Sequence, residues 1–390
     1  MTSLLLALDF PPMGGGLARF HSEIAQRFPP GEMIVSTPQD PDAAQADAPF
    51  AGAVDRLSVN RRIAKTLPGA IVWSRRAVTL ARRHNTRFVY CANLKPAGYP
   101  AYWVHQRTRI PYGILLCGGD LLSEQIKYRH SSFKRRVGRT LLGNAAALIA
   151  ISRWAANLAH TVLEQIGVRD RDRRIHVVPL GTDPQRFRPG LDATAVRERY
   201  QLPTRDRWLL TVARLEPHKG VDTVLRALPA ILARAPDARY AVAGDGYDRD
   251  RLKQLAQQLG VADRVRFLGQ VSEHDLPALY NAATLYVGAS RRSEGMDVEG
   301  FGISFTEASA SGLPIVGGDS AGVPDAVRDG ETGFLVPPEN AAALAAAVTR
   351  LLADPDLAGR IGGAGRRAAE THYNWDRVVR DLRAIEAAVS

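Results

Sequence analysis

Two successive series of short apolar runs, each run followed by a stretch with helical spacing, constrain this chain of 390 residues more than any other feature. The first series lies at 4–8, 88–91, 113–117, 147–151 and 175–178. The second lies at 208–213, 240–243, 265–268, 285–287, 315–316 and 334–336. Between them, segments such as 17–27, 153–166, 221–234, 249–259, 341–352 and 357–370 repeat apolar residues every three to four positions. Short apolar runs bounded by turn residues read as strands covered on both faces, and their alternation with helices gives parallel sheets. The predicted class is therefore α/β, with two Rossmann-like doubly wound domains facing a central cleft. Pro179, Gly181, Pro184 and Pro189 punctuate the join, which sets the expected domains at 1–183 and 184–371. A last helix at 375–389, inside the segment 372–390, follows the second series.

No run approaches the ~20 consecutive apolar residues that a spanning helix needs. The first nine residues are too short and lack the basic flank of a secretory signal, so they read as a strand. Cys91 and Cys117 both sit in apolar runs far apart, which fits a reducing, cytoplasmic setting better than a disulfide scaffold. The net charge of +11 points to anionic partners. The excess is concentrated at Arg56, Arg61, Arg62, Lys65, Arg75, Arg76, Arg82, Arg83 and Arg87, and again at Lys127, Arg129, Lys134, Arg135, Arg136 and Arg139, interleaved with Tyr128 and Phe133. Bases among aromatics suit an anionic membrane surface, more than nucleic acid; solvated helix faces are the alternative.

The chemistry concentrates in turns that leave strands. Glu299 and Glu307 stand in Asp297-Val298-Glu299-Gly300-Phe301-Gly302-Ile303-Ser304-Phe305-Thr306-Glu307, with a glycine-rich turn between them and a helix expected at 306–311. Ser304 and Glu307 also fit a capping box, which would explain Glu307 but not Glu299. Arg214 and Lys219 flank another turn, Arg214-Leu215-Glu216-Pro217-His218-Lys219. Acids hold sugar hydroxyls and cations hold a diphosphate, and fixed cations stabilise charge building on a leaving diphosphate. Gly14, Gly15 and Gly16 follow the first strand, where backbone N–H groups can approach a phosphate. Gly244-Asp245-Gly246 and Gly269-Gln270-Val271 close two more strands. Asp170-x-Asp172 and Asp248-x-Asp250 match an acidic metal-binding pattern, but their arginine-rich surroundings favour ion pairs. His176, His218 and His274 have no metal-ligand spacing. The dinucleotide fingerprint G-x-G-x-x-G is absent, which removes a Rossmann dehydrogenase.

Taken together, these residues resemble retaining glycosyltransferase family four, with its two-domain GT-B fold. The resemblance rests on Arg214 with Lys219, Glu299 with Glu307, the glycine loop, Val178-Pro179-x-Gly181-x-Asp183-x3-Phe187 and His372-Tyr373-Asn374-Trp375, and covers nearly the whole chain. It implies that Glu299 binds donor hexose hydroxyls and Glu307 the ribose, while Arg214 and Lys219 hold the diphosphate. Gly15 and Gly16 would approach that diphosphate, Phe301 and Gly302 would present backbone to sugar and phosphate, and Gly269 and Val271 would flank the base. It also implies that the 372–390 segment packs back onto the first domain. One departure stands out. Where many members carry His-Gly-x-Glu/Asp, this chain has Cys117-Gly118-Gly119-Asp120. Cysteine cannot supply the imidazole's hydrogen bond, whereas Asp120 remains for the acceptor.

The implied activity is metal-independent transfer of a hexose from a nucleoside-diphosphate sugar to a hydroxyl acceptor, without a cofactor. The segment from Arg291 to Gly300 looks like α-mannosyltransferases acting on phosphatidylinositol mannosides, so GDP-mannose is the favoured donor, with UDP-glucose and UDP-N-acetylglucosamine as alternatives. The basic first half fits a lipid-linked acceptor and a peripheral position on the inner face of a membrane; a small soluble acceptor is the alternative. Cys117 motivates the reading from another class, a nucleotide-sugar-binding protein without turnover.

Overall fold

The computed structural model describes residues 2–50, 53–169, 174–293 and 298–389. Its contacts divide the chain into two units, Met1–Leu180 with Trp375–Ser390, and Gly181–Asn374.

The first unit holds β1 (Thr2–Leu6), β2 (Met33–Gln39), β3 (Val54–Asn60), β4 (Thr86–Cys91), β5 (Tyr112–Leu116), β6 (Ala147–Ala150) and β7 (Ile175–Val177). They form one parallel sheet in the order β3-β2-β1-β4-β5-β6-β7. Strands β2 and β3 were not expected from the apolar runs. β2 reads Met-Ile-Val-Ser-Thr-Pro-Gln, and a proline normally argues against a strand with neighbours on both sides. Here Pro38 falls where the pairing with β3 shifts register between Thr37 and Gln39, so its missing N–H breaks no ladder bond.

The helix Trp375–Val389 belongs to this unit. Trp375 stacks on Phe20 with ring centroids 6.0 Å apart, and Arg27 pairs with Asp376 at 3.3 Å, so it lies against the helix Gly16–Arg27. Its buried Glu386 accepts hydrogen bonds from Ser3 Oγ (2.7 Å), Tyr90 Oη (2.9 Å) and Arg87 Nε (2.6 Å), tying it to β1 and β4.

The second unit holds β8 (Arg207–Val212), β9 (Ala238–Ala243), β10 (Val265–Gly269), β11 (Leu285–Gly288), β12 (Ile315–Gly318) and β13 (Phe334–Val336). The order is β10-β9-β8-β11-β12-β13, again all parallel. Each sheet reverses its strand order once, at β1/β4 in the first and β8/β11 in the second. Loops at the carboxyl ends of such switch points are where doubly wound sheets bind ligands. Among the described residues no helix is long and apolar enough to cross a membrane.

Candidate active site

In the second unit the candidate residues follow the carboxyl ends of four adjacent strands, β10, β9, β8 and β11. The turn after β8 carries Arg214 and then a single 3-10 turn, Pro217–Lys219, ahead of the helix Val221–Leu232. Gly220 makes this possible. Its φ is +69°, and a Cβ there would stand 1.8 Å from the Ala289 carbonyl oxygen. The turn therefore lies directly on the chain leaving β11, and that contact brings Lys219 to the acidic loop. Lys219 Nζ donates to Glu299 Oε2 at 2.6 Å, with both side chains largely buried.

Arg214 is placed differently. It is exposed and pairs with Glu216 at 3.0 Å, and the other oxygen of Glu216 lies 3.6 Å from Nδ1 of the buried His218. Glu216 thus holds the exposed cation from within its own turn, a role that the residue type alone does not signal.

Glu307 sits on the helix Ile303–Ala310. The capping-box expectation fails. The helix begins earlier than 306, its N-cap is Gly302 at φ +98°, and no side chain caps it. Ser304 is inside the helix and its Oγ accepts from Tyr286 Oη at 2.7 Å. Glu307 is 2% exposed and accepts from Tyr280 Oη at 2.8 Å. A buried carboxylate facing a tyrosine hydroxyl, with no capping duty, is oriented rather than spent on the helix end. Gly302 keeps the turn tight, since a Cβ there would meet Phe305 at 2.5 Å and Glu299 Cγ at 3.5 Å. Phe301 is buried with its ring 6.1 Å from that of Tyr373. The Glu299 carbonyl accepts from Gly322 N–H at 3.0 Å, which fixes the backbone of the acidic loop.

Gly269 ends β10 and its carbonyl accepts from Gly244 N–H at 2.8 Å; nothing lies within 4 Å of a Cβ built on it. Val271, two residues on, is half-buried. Asp248 accepts from Nε and Nη2 of Arg251 at 2.6 and 2.7 Å, as its surroundings suggest. Asp170, Asp172 and Asp297 lie outside the described residues.

Apparent only in three dimensions is a clamp behind Lys219 and Glu299. Arg291 grips Asp222 with two hydrogen bonds of 2.7 and 3.1 Å, and its backbone N–H reaches the His218 carbonyl at 2.8 Å. Arg291 and Asp222 are both mostly buried, so their attraction is poorly screened, although Arg291 also reaches Glu339 at 3.2 Å and Asp222 has Arg251 at 3.8 Å. A double-mutant cycle with Asp222→Ala and Arg291→Ala, read by denaturant unfolding, is expected to return a coupling of about 2 kcal/mol; a value near zero would make the contact incidental.

In the first unit the glycine loop leaves β1. Gly15 is the N-cap of the helix Gly16–Arg27 at φ +108°, and no atom lies within 4 Å of a Cβ built on Gly14 or Gly15. The backbone of this loop is therefore open to a ligand, with Gly16 providing the first N–H of the helix. Beside it, Asp9 takes two hydrogen bonds from Arg61 at 2.9 and 2.6 Å, and its carbonyl meets His21 Nδ1 at 2.7 Å. Burial pushes the His21 imidazole below its ordinary value, which favours the neutral ring. Asp120 follows β5, and its carboxylate accepts from Leu94 N–H at 3.2 Å and Leu121 N–H at 2.9 Å, so it spans the loops after β4 and β5. Burial raises its pKa against the pull of those N–H groups. Burial likewise pushes the Cys117 thiol well up, so this cysteine stays a neutral thiol.

Comparison with known proteins fits this geometry. Residues 192–368 match the family model for glycosyl transferases group 1. A GDP-mannose-dependent alpha-(1-6)-phosphatidylinositol monomannoside mannosyltransferase of Mycobacterium tuberculosis is 31% identical over 383 residues, covering 97% of this chain and 96% of the relative. Its namesake from Mycolicibacterium smegmatis is 42% identical over 200 residues, covering 51% of this chain and 52% of the relative. Among solved structures, Anabaena HepE in complex with UDP and glucose aligns over 100% of both chains with a TM-score of 0.78 at 22% identity. With two doubly wound units, a full-length relative and a full-length structural match, the chain belongs to the group 1, family-four glycosyltransferases and has their GT-B fold.

Proposed function

We propose that this glycosyltransferase moves mannose from GDP-mannose to a hydroxyl of a lipid-linked acceptor, with retention of configuration and without a metal. The carrying observation is the Lys219–Glu299 pair, a cation and an acid held 2.6 Å apart at the carboxyl edge of the second sheet. One partner suits a diphosphate and the other suits sugar hydroxyls, so a sugar diphosphate can engage both. The donor choice draws on the Mycobacterium tuberculosis relative, whose name specifies GDP-mannose and a phosphatidylinositol monomannoside.

In the reaction the bond from the anomeric carbon to the diphosphate oxygen breaks, and its electron pair leaves with the diphosphate. The acceptor oxygen forms the new glycosidic bond on the same face, and its proton passes to the departing phosphate oxygen. Lys219 and Arg214 neutralise the charge as it develops. Glu299 binds the hexose hydroxyls, and Glu307, aimed by Tyr280, binds the ribose. Gly15, Gly16, Gly269, Val271, Phe301 and Gly302 contribute backbone or small surfaces to the donor, and Asp120 orients the acceptor hydroxyl. The protein acts on the cytoplasmic face of a membrane.

Thermal unfolding with GDP, UDP, ADP and TDP, alone and as sugar conjugates, tests the donor. A ligand at one hundred times its dissociation constant adds about 2.7 kcal/mol. GDP and GDP-mannose are expected to raise the melting temperature while UDP does not. A shift from UDP-glucose or UDP-N-acetylglucosamine alone would reassign the donor, and a shift with no transfer to any hydroxyl acceptor would favour a binding protein.

A further inference from the structure

The loop that leaves β9, Gly244-Asp245-Gly246-Tyr247-Asp248, carries a large side chain to which no role has yet been given. Tyr247 is 75% exposed, yet the backbone around it is fixed on both sides. Gly244 N–H donates to the Gly269 carbonyl at 2.8 Å, and the Asp245 carbonyl accepts from Leu215 N–H at 2.9 Å. Beyond the tyrosine, Asp248 N–H donates to the Leu215 carbonyl at 3.1 Å. A Cβ on Gly246 would stand 2.3 Å from that same carbonyl oxygen, so the loop lies directly on Leu215. The buried Asp248 side chain is gripped in turn by Arg251. Tyr247 therefore stands on a support whose two flanking residues are both held to one neighbour.

The place of that support is what matters, since a single exposed ring needs no explanation by itself. Leu215 follows Arg214 directly, so one side of the loop rests on the turn that carries Arg214 and Lys219. Gly269, on the other side, ends β10 and leads to Val271. A nucleoside diphosphate laid along this edge, with its charge at the 214–219 turn and its base toward 269–271, passes the loop that bears Tyr247. Among the described turns after β8, β9 and β10, residues 213–220, 244–248 and 270–275, Tyr247 supplies the one phenol or indole ring. His218 is buried there, and the exposed His274 lies past Val271.

We propose that Tyr247 is a specificity-determining residue whose ring stacks on the donor's base. A tyrosine is suited to this because it offers a flat apolar face at the cost of only two side-chain torsions. Its support adds to the effect, since the backbone beneath it is already ordered before the nucleotide arrives. Stacking reads no base edge. A two-ring base nevertheless covers more of the phenol than a one-ring base does, so the contact favours purine over pyrimidine diphosphates. The inference rests on the reading that a nucleoside-diphosphate sugar occupies the second unit, and it adds the group that holds the face of the base.

Titration calorimetry of the full-length protein with GDP, UDP and inorganic pyrophosphate tests the contact. Tyr247→Ala is expected to weaken GDP binding by roughly 5- to 150-fold, the usual loss when one base–aromatic stack is removed. Pyrophosphate, which has no base, should bind the variant as it binds the wild type, and the preference for GDP over UDP should narrow. Tyr247→Phe keeps the ring face and should keep the GDP affinity. Tyr247→Trp should keep it as well, and should add an indole emission that GDP quenches and pyrophosphate does not. The last two variants keep the test open should Tyr247→Ala fail to fold. The inference is overturned if Tyr247→Ala binds GDP unchanged, or if it loses pyrophosphate equally, which would mean a deformed turn. It is also overturned if Tyr247→Phe loses as much as Tyr247→Ala, if His274→Ala takes the loss instead, or if the wild type prefers UDP. A wild type that binds no nucleoside diphosphate at all removes the donor reading itself. A wild type that binds GDP through a tyrosine-independent site removes only the stack, so the two failures are distinguishable.

Discussion

Lys219→Ala is expected to lower kcat by roughly 100- to 1000-fold, the usual cost of deleting one fixed group that stabilises developing charge. Lys219 stands within 2.6 Å of Glu299, in a turn pressed against the chain leaving β11 by Gly220. The ammonium is thus held before the substrate arrives, and little reorganisation is left for the moment of bond cleavage. Arg214 cannot substitute, because it is exposed and its partner Glu216 draws it within its own turn. Removing the lysine also leaves Glu299 without its cation, so affinity for the donor should change as well. Single-turnover kinetics separate the two effects, since binding and chemistry then appear as different phases. Lys219→Arg should recover part of the rate by restoring the charge. A variant that retained the full rate would mean that the diphosphate is neutralised elsewhere.

The largest stability loss is expected at Glu386, far from the chemistry. Its carboxylate is 1% exposed and gathers a serine hydroxyl, a phenol and a guanidinium from β1 and β4. Arg87 is partly exposed and can turn to water, and Tyr90 keeps the Leu382 carbonyl at 3.0 Å, but the fully buried Ser3 hydroxyl loses its acceptor and a cavity opens beside both. Glu386→Ala should therefore cost about 3 kcal/mol, or roughly 6–12 °C in the melting temperature of a unit this size. Glu386→Gln, which keeps one acceptor oxygen, should cost less than half of that. Differential scanning calorimetry should show the loss in the transition of the first unit alone; equal shifts in both transitions would contradict the assignment.

The alternation of apolar runs and helical spacing was enough to read nearly every strand of both sheets, because buried parallel strands leave an uninterrupted apolar trace. It failed at β2 and β3, where Ser36, Thr37, Pro38 and Asp55 dilute that trace and the ladder tolerates Pro38 only through a register shift. The site divides in the same way. Arg214, Lys219, Glu299 and Glu307 are legible because they are charged residues beside glycines at strand ends. Their partners are not. Tyr280 reaches Glu307 across 27 positions and Arg291 reaches Asp222 across 69, distances that no local pattern encodes. Ser304 shows the opposite error, since its spacing from Glu307 imitates a cap while its hydroxyl serves Tyr286.

The first unit is discontinuous, because Trp375–Ser390 completes it after the entire second unit has intervened. During synthesis the second unit can close as soon as Asn374 has emerged. The first unit must wait, with Phe20, Tyr90 and the hydroxyl of Ser3 uncovered until the fifteen-residue helix Trp375–Val389 arrives. Loss of that helix would therefore leave its immediate sequence neighbour intact and disable the domain made first. Order of birth and order of completion run in opposite directions along this chain.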